Sequence, residues 1–261
     1  RIDLEALRTW KGRVIDQMAD GLVSLNHRRG VQLLKGRVAF ESSETVRIHD
    51  AEVGHIKFRH AILASGSQPI PFPKTTFKTG GRIISSTGAL ALADVPAKLL
   101  VGGGGYVGLE LGTVYAALGS RVRLVELEDR LLAGVDQDLV QPLHRRLGKV
   151  FESINLKTGV VSMEENKTGV EVIFEGDIDT PRQTFDKVLV AIGRKPCSSD
   201  IGLANTKVAV DEKGYVGVDD RQRTADERIF AVGDVTGGMI LAHKATREGK
   251  VAAEVIAGKP S

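Results

Sequence analysis

Several features that would define a protein class are scarce in this sequence. A single cysteine, Cys197, excludes an intrachain disulfide and argues against a cysteine metal cluster. The six histidines show no H-E-x-x-H or other paired-ligand spacing, so we expect no metal site. Apolar runs are too short to cross a bilayer, and the N-terminal RIDLEALRTW lacks a signal-peptide core. We therefore expect a cytoplasmic protein with no membrane partner.

An excess of one charge is also missing. The 36 basic and 33 acidic residues give a formal net charge of +3, and the basic residues are scattered, so no nucleic-acid partner is expected. With 261 residues, of which 42% are hydrophobic, the chain can form one large or two medium domains with apolar cores. It begins without Met inside an amphipathic pattern, and we expect it to be part of a longer protein.

The most informative stretch is residues 98–126, KLLVGGGGYVGLELGTVYAALGSRVRLVE, which predicts a strand, a glycine turn, a helix and a second strand. Gly103, Gly105 and Gly108 have the G-x-G-x-x-G spacing, with Gly104 between the first two. We expect Gly103 to permit the turn, Gly105 to admit a pyrophosphate at the helix N-terminus, and Gly108 to let the helix approach the strand. The stretch therefore predicts a dinucleotide site.

The residue that ends the second strand bears on which nucleotide binds. Glu126 would accept a hydrogen bond from a ribose hydroxyl, and together with Glu128 and Asp129 it would repel a 2′-phosphate. The nearby Arg123 and Arg130 argue in the opposite direction, for NADP. We weigh the carboxylates more heavily, and the sequence then favours NAD.

Periodicity indicates the rest of the order. Apolar residues at three- and four-residue steps predict one long helix over 4–25, with Trp10 and Met18 in its buried stripe. Short β-type runs over 31–65 predict an antiparallel meander, and the Pro-rich stretch after Gly66 predicts an extended connection. Further on, we expect a helix at 136–149, strands at 160–163, 170–174 and 188–192, a hairpin after 205, a strand at 228–232 and a helix at 243–258. The strand at 188–192 is apolar throughout, as in the centre of a parallel sheet.

Three separated motifs then coincide: ILASGS at 62–67, VGGGGYVGLELG at 101–112 and TADERIFAVGDV at 224–235. As a set they resemble the disulfide-reductase flavoproteins, along the whole chain. The resemblance implies an α/β, two-dinucleotide-binding (FAD/NAD), three-layer fold, in which a parallel sheet has helices on one face and an antiparallel β-meander on the other. It implies a partial FAD-binding domain over 1–94, an NAD-binding domain over 95–205 and a return to the FAD-binding domain over 206–261.

The resemblance also implies roles for individual residues. The NAD site would comprise Gly103, Gly104, Gly105, Gly108, Glu126, Val160, Gly193 and Arg194. FAD would contact Asp234 and the backbone at Ala242, and its adenosine would lie near the backbone of Val38. Glu110 matches a residue that pairs, in the family, with a lysine beside the flavin, and that lysine has no counterpart in this chain.

Some family features are absent or changed. Cys197 stands where an Asn is usual and Ser65 where a Thr is common; the FAD glycine motif, the paired redox cysteines and the His-Glu pair have no match. The motif LAHKATREG at 241–249 points to the NAD-dependent member that serves 2-oxoacid dehydrogenase complexes. Its implied partner is a lipoyl group, and a homodimer is implied. We expect this segment alone to be inactive, and to expose apolar faces of the helix at 4–25 and of the strand at 229–232 because the first βαβ unit of the flavin domain has no match here. A non-catalytic NAD-binding module and an NADP-dependent reductase remain alternatives.

Overall fold

The computed structural model describes residues 2–49 and 52–259. Its α-helices are α1 (Leu4–Arg28), α2 (Ser86–Ala91), α3 (Tyr106–Leu118), α4 (Gln137–Leu147) and α5 (Ala242–Ile256). The strands are β1 (Arg37–Phe40), β2 (Thr45–His49), β3 (His55–Lys57), β4 (Ala61–Leu63), β5 (Ser67–Pro69), β6 (Ile83–Ile84), β7 (Lys98–Gly102), β8 (Arg121–Val125), β9 (Ser153–Asn155), β10 (Thr158–Glu165), β11 (Val170–Gly176), β12 (Arg182–Phe185), β13 (Lys187–Val190), β14 (Arg194–Pro196) and β15 (Ile229–Ala231). Two short 3-10 helices cover Leu203–Asn205 and Gly233–Thr236.

The chain divides into two compact units. Unit 1 contains residues 1–21 and 69–193, and unit 2 contains residues 22–68 and 194–261. The changes at 68/69 and 193/194 fall within β5 and just before β14. The expected limits at 94/95 and 205/206 lie elsewhere, and the assignment of segments to FAD and NAD domains stays a prediction.

Unit 1 is built on a parallel sheet with the strand order β6-β13-β7-β8-β9. Side chains of β7 alternate between its two faces. Leu99 and Val101 pack with residues of α2, α3 and α4, while Leu100 packs with the antiparallel meander β10-β11-β12. All three are completely buried, and truncating one such leucine to alanine costs about 2–5 kcal/mol. The expected three-layer fold is confirmed in this unit.

Helix α3 is fixed in place by its ends and its packing. It begins after the N-cap Gly105 and ends at Gly119, whose φ of 110° is a left-handed conformation that favours glycine. The Tyr115 hydroxyl donates to the Ala89 carbonyl at 2.8 Å, which ties α3 to α2. Burial, and then the charge of Asp94, raises the pKa of Tyr115.

Unit 2 contains the antiparallel sheet β1-β2-β3 and the parallel pair β15-β4. Its core includes Phe40, Leu203 and Ile229. A turn before β15 is organised by the buried Asp226, whose carboxylate accepts from Ser43 Oγ and from the N–H groups of Lys207 and Arg228. Burial acts to raise the pKa of Asp226, but these hydrogen bonds outweigh burial and lower it.

Helix α1 carried two opposed expectations, an apolar face left exposed and a buried stripe with Trp10 and Met18 in it; the first is confirmed and the second was wrong. The helix α1 forms as predicted, with Asp3 Oδ1 accepting from the N–H groups of Glu5 and Ala6, but none of its residues is buried. Trp10 is 58% exposed and Met18 69% exposed, because only the start of the helix packs on the unit 1 core.

The strand β15, in contrast, is more protected than expected. Residues 229–232 were expected to be exposed, yet all four are buried. Ile229 and Ala231 face the core next to the β1-β2-β3 sheet, and Phe230 and Val232 pack under α5. Both faces of β15 are therefore covered by residues of unit 2 itself.

Two pairings also differ from expectation. The strand β4 does not extend the meander but pairs in parallel with β15. The sequence did not predict this pairing because the two strands lie far apart in the chain. The hairpin after residue 205 is reduced to a single bridge between Val210 and Val216. Among the described residues, no helix is long and apolar enough to cross a membrane.

Candidate functional site

The glycine turn after β7 is shaped by close backbone contacts. Gly103 has a φ of 111°, and its N–H donates to the Val125 carbonyl at 2.9 Å. A Cβ at this position would lie 2.4 Å from the Ala191 carbonyl oxygen at the end of β13. Both the conformation and the contact require glycine, and the turn leaves the sheet at the carboxyl ends of adjacent parallel strands, where α/β sheets bind ligands.

The next two glycines of the motif have opposite surroundings. A Cβ on Gly108 would lie 2.2 Å from the Gly103 carbonyl oxygen, so α3 rests directly on the turn. A Cβ on Gly105 would meet no atom within 4 Å. Gly105 is also the N-cap of α3 and offers no side chain to the first turn of the helix. The helix N-terminus is therefore open to an anion at this point.

Glu126 is attached to the same turn. Its Oε2 accepts from the Gly104 N–H at 2.5 Å, and its Oε1 accepts from the Glu128 N–H at 2.9 Å. The Gly104 carbonyl in turn accepts from the Leu132 N–H at 3.0 Å. Each carboxylate oxygen keeps a second lone pair, so the half-buried Glu126 can still accept from a hydroxyl beside the glycine turn.

The two arginines that could favour a 2′-phosphate are already paired. Arg123 Nε donates to Glu152 at 2.6 Å and its Nη1 to Gln183 Oε1 at 2.6 Å, and the pairing lowers the pKa of Glu152. Arg130 Nε donates to Asp129 at 2.7 Å and lowers the pKa of that carboxyl. Neither guanidinium is held towards the turn by these contacts.

The remaining expected NAD residues are distributed between the units. Val160 lies in β10 opposite Phe174 and is half-buried on the meander side of the unit 1 sheet. Gly193 follows β13 with a φ of 137°, and its carbonyl accepts from the Ile70 N–H at 3.1 Å. Arg194 belongs to unit 2.

A second polar group lies in unit 2 around Asp234. Ser67 Oγ donates to Asp234 Oδ2 at 2.5 Å. Arg194 donates from Nε to Ser67 Oγ and from Nη2 to the Ser67 carbonyl, both at 2.7 Å. Ser67 thus links Arg194 to Asp234. This serine was not among the candidate residues identified from the sequence. The signal for it was the hydroxyl inside the ILASGS motif.

Helix α5 supports the backbone of the same turn. Glu248 Oε2 accepts from the Gly233 N–H at 2.7 Å, and Lys244 Nζ donates to Glu248 Oε1 at 2.9 Å. Neither residue was identified from the sequence, although their four-residue spacing on a helix predicts an ion pair. Ala242 is the exposed first residue of α5, whose N-cap Leu241 provides no side-chain hydrogen bond.

Other candidate residues are more isolated. Val38 lies in β1 opposite Ile48 and is 42% exposed. Glu110 is exposed on α3, and no hydrogen bond or ion pair to another part of the described chain holds it. Cys197 is half-buried, and its N–H donates to the Gly66 carbonyl at 2.9 Å. The described residues contain no cluster of three or more His, Cys, Asp or Glu side chains that could bind a metal.

The family profile that matches this chain and the curated proteins similar to it indicate the same family. Residues 3–249 match the family profile described as pyridine nucleotide-disulphide oxidoreductase. The chain is 38% identical over 261 residues to a dihydrolipoyl dehydrogenase of Geobacillus stearothermophilus, covering 100% of this chain and 55% of the relative. It is 40% identical over 263 residues to one of Vibrio cholerae, covering 99% and 54%. The chain thus spans about half the length of these curated relatives.

Solved structures share the fold. The HOCl-induced flavoprotein disulfide reductase RclA of Escherichia coli superposes with a TM-score of 0.86 at 25% identity, covering 97% of this chain and 57% of that one. LpdA of Mycobacterium tuberculosis gives a TM-score of 0.88 at 23% identity, covering 100% and 57%, a likeness that shows the fold alone.

Proposed function

This chain belongs to the pyridine nucleotide-disulphide oxidoreductase family, and we propose that it is the NAD-binding segment of a dihydrolipoyl dehydrogenase. The observation that carries the proposal is the open space at Gly105, at the N-terminus of α3 and beside a carboxylate anchored on the same turn. A pyrophosphate would bind at the helix N-terminus and a ribose hydroxyl would donate to Glu126.

We extend the proposal to NAD rather than NADP. The fixed carboxylate of Glu126 would repel a 2′-phosphate, and Arg123 and Arg130 are engaged by Glu152 and Asp129. In the proposal Val160 and Gly193 line the same site, and Arg194, which donates to Ser67 Oγ, is a further NAD residue.

The second group fits a flavin. Asp234 keeps lone pairs free to accept from ribityl hydroxyls, and the uncapped start of α5 at Ala242 suits a phosphate or a ring carbonyl. Val38 would lie near the adenosine and Glu110 near the flavin ring. FAD, when bound, would supply the two-electron chemistry between a dithiol and the nicotinamide. The residues of this chain bind and orient the cofactors, because its one cysteine cannot form the redox disulfide.

The partners of the whole enzyme follow from the same proposal. A lipoyl group carried by a 2-oxoacid dehydrogenase complex would be the dithiol, and the enzyme would be a homodimer. A chain with one cysteine has no need of an oxidising compartment, which supports a cytoplasmic location.

Titration calorimetry with NADH and NADPH, accompanied by an absorbance scan for flavin, tests the nucleotide site. We expect selective binding of NADH. The variant Glu126→Ala should bind NADH about tenfold more weakly, a loss of about 1.4 kcal/mol, and should discriminate less against NADPH. The matched control is Glu164→Ala, which removes an exposed carboxylate of unit 1 outside the glycine turn and leaves the Gly104 contact intact. Equal affinity for the two nucleotides, or no loss in Glu126→Ala, would contradict the proposal.

A further inference from the structure

The backbone that carries Asp234 is held by two side chains of α5. Gly233 has a φ of 81°, and a Cβ on it would lie 3.1 Å from Ala245 Cβ, so the turn and the helix are in close contact. Glu248 accepts from the Gly233 N–H at 2.7 Å. Lys244 Nζ donates to the Gly233 carbonyl at 3.2 Å, so α5 engages both polar groups of this residue.

The two side chains also hold each other in place. Lys244 Nζ lies 2.9 Å from Glu248 Oε1 and 3.4 Å from Thr236 Oγ1, and Thr236 Oγ1 donates to the Gly233 carbonyl at 2.8 Å. The Lys244 side chain is only 21% exposed and that of Glu248 16%. Solvent screens this charge-assisted pair only weakly, because both side chains are largely buried. The pair therefore holds its geometry better than an ion pair on the surface.

We propose that Glu248 and Lys244 are positioning residues that set the orientation of the Asp234 carboxylate towards a flavin. The inference rests on the proposed function, since it is the flavin side of that site that they would serve. Ser67 holds the carboxylate itself, and the α5 pair holds the peptide immediately before it. Both the side chain and the main chain of Asp234 are thereby constrained. A ribityl hydroxyl of the flavin would then donate to a carboxylate that is already fixed, so that binding loses little side-chain entropy.

Helix α5 provides a matched control for this inference. Lys250 and Glu254 form another pair with the same four-residue spacing, 3.8 Å apart, but Lys250 is 66% exposed and the pair does not contact the turn. Glu254→Ala therefore removes the same kind of charge from the same helix and leaves Gly233 in place.

The experiment measures three quantities on the full chain: amide hydrogen exchange at Gly233, FAD affinity from flavin fluorescence quenching, and NADH affinity. For Glu248→Ala we expect Gly233 exchange to rise about tenfold and FAD affinity to fall about tenfold, while NADH affinity stays close to that of the unsubstituted chain. The melting temperature should fall somewhat, because the Gly233 N–H and Lys244 lose a largely buried acceptor. Glu248→Gln keeps an acceptor for the Gly233 N–H and should recover part of the FAD affinity. Glu254→Ala should change none of the three quantities.

Three results would overturn the inference. Unchanged FAD affinity in Glu248→Ala, with an unsubstituted chain that binds FAD, rejects the positioning role and leaves the proposed function standing. Parallel losses of FAD and NADH affinity show a general loss of folding instead. Failure of the unsubstituted chain to bind FAD rejects the proposed flavin site and the inference with it. If Glu248→Ala does not fold, Lys244→Met and Glu248→Gln give the same comparison.

Discussion

A methyl group placed on Gly105 should separate nucleotide binding from folding. In Gly105→Ala the new Cβ meets no protein atom within 4 Å, and the φ of −78° suits any residue. Alanine is a poorer N-cap than glycine by up to about 1 kcal/mol, but the stiffer unfolded chain returns about 0.4–1 kcal/mol. The two effects nearly cancel, so the free energy of unfolding should change by less than about 0.5 kcal/mol.

Binding should respond differently, because the free space at Gly105 is where we propose that the pyrophosphate lies. The methyl group would keep the phosphates away from the N-terminus of α3, and we expect NADH affinity to fall at least about tenfold, or 1.4 kcal/mol. Urea unfolding and calorimetric NADH titration measure the two quantities on the same preparation.

The control is Gly12→Ala on α1, where an added Cβ also meets nothing within 4 Å. Alanine in a helix interior should stabilise this variant by about 0.5–1 kcal/mol and leave NADH affinity unchanged. If Gly105→Ala binds NADH as tightly as the unsubstituted chain, the ligand does not approach Gly105 and our reasoning about the turn is wrong.

Three further outcomes are expected. Asp226→Asn should lower the free energy of unfolding at pH 7 by about 1–3 kcal/mol, since three donors would lose a charged acceptor. Folding lowers the pKa of Asp226 from 3.8, so the ionised carboxylate stabilises the fold above that pH, and this stabilisation is lost as the pH falls through the folded-state pKa. Urea unfolding at pH 7 and pH 3 should therefore show a smaller difference in the free energy of unfolding between the variant and the unsubstituted chain at pH 3. An equal difference at both pH values would contradict this. Trp10 is the one tryptophan of the chain, so the tryptophan fluorescence reports on this side chain alone. Because Trp10 is exposed, we expect a red-shifted emission that iodide quenches readily. A blue-shifted emission that resists iodide would show that Trp10 is buried. Ser67→Ala should weaken FAD binding about three- to tenfold by releasing Asp234. NADH binding should weaken less, because Arg194 loses only its contact with Ser67 Oγ and keeps the one with the Ser67 carbonyl; equal loss of both would indicate a folding defect.

The sequence was most informative where local signals coincide. In residues 98–126 the apolar strand, the glycine spacing and the acidic residue each constrain the same βαβ unit, and β7, α3 and β8 all form as predicted. The short elements β6 and α2 were missed because a two-residue strand and a six-residue helix carry too little periodicity. Pairing of β4 with β15 is not encoded in either segment alone, since the partners are distant in sequence.

Periodicity also shows which face of an element is apolar but not what covers it. The stripe on α1 correctly predicted a helix, yet Trp10 and Met18 have no apolar cover in the described chain. For the candidate site, the glycines and the acidic residue were identifiable from spacing. Ser67, Lys244 and Glu248 were not, because their importance depends on which backbone groups they reach after folding.

The double-sided burial of β7 has a consequence for how the chain finds its native register. A one-residue shift in strand pairing moves every side chain to the other face of the sheet, which is costly when one face is exposed to solvent. In β7 both faces are apolar and Leu99 and Leu100 are equally buried, so the same shift costs little in buried apolar area. The glycine in the following helix makes this shift costly. A slip would bring Val107 or Leu109 to the position of Gly108, where a Cβ lies 2.2 Å from a backbone oxygen. We therefore expect Gly108 to fix the register of β7 and α3 whether or not a nucleotide is bound.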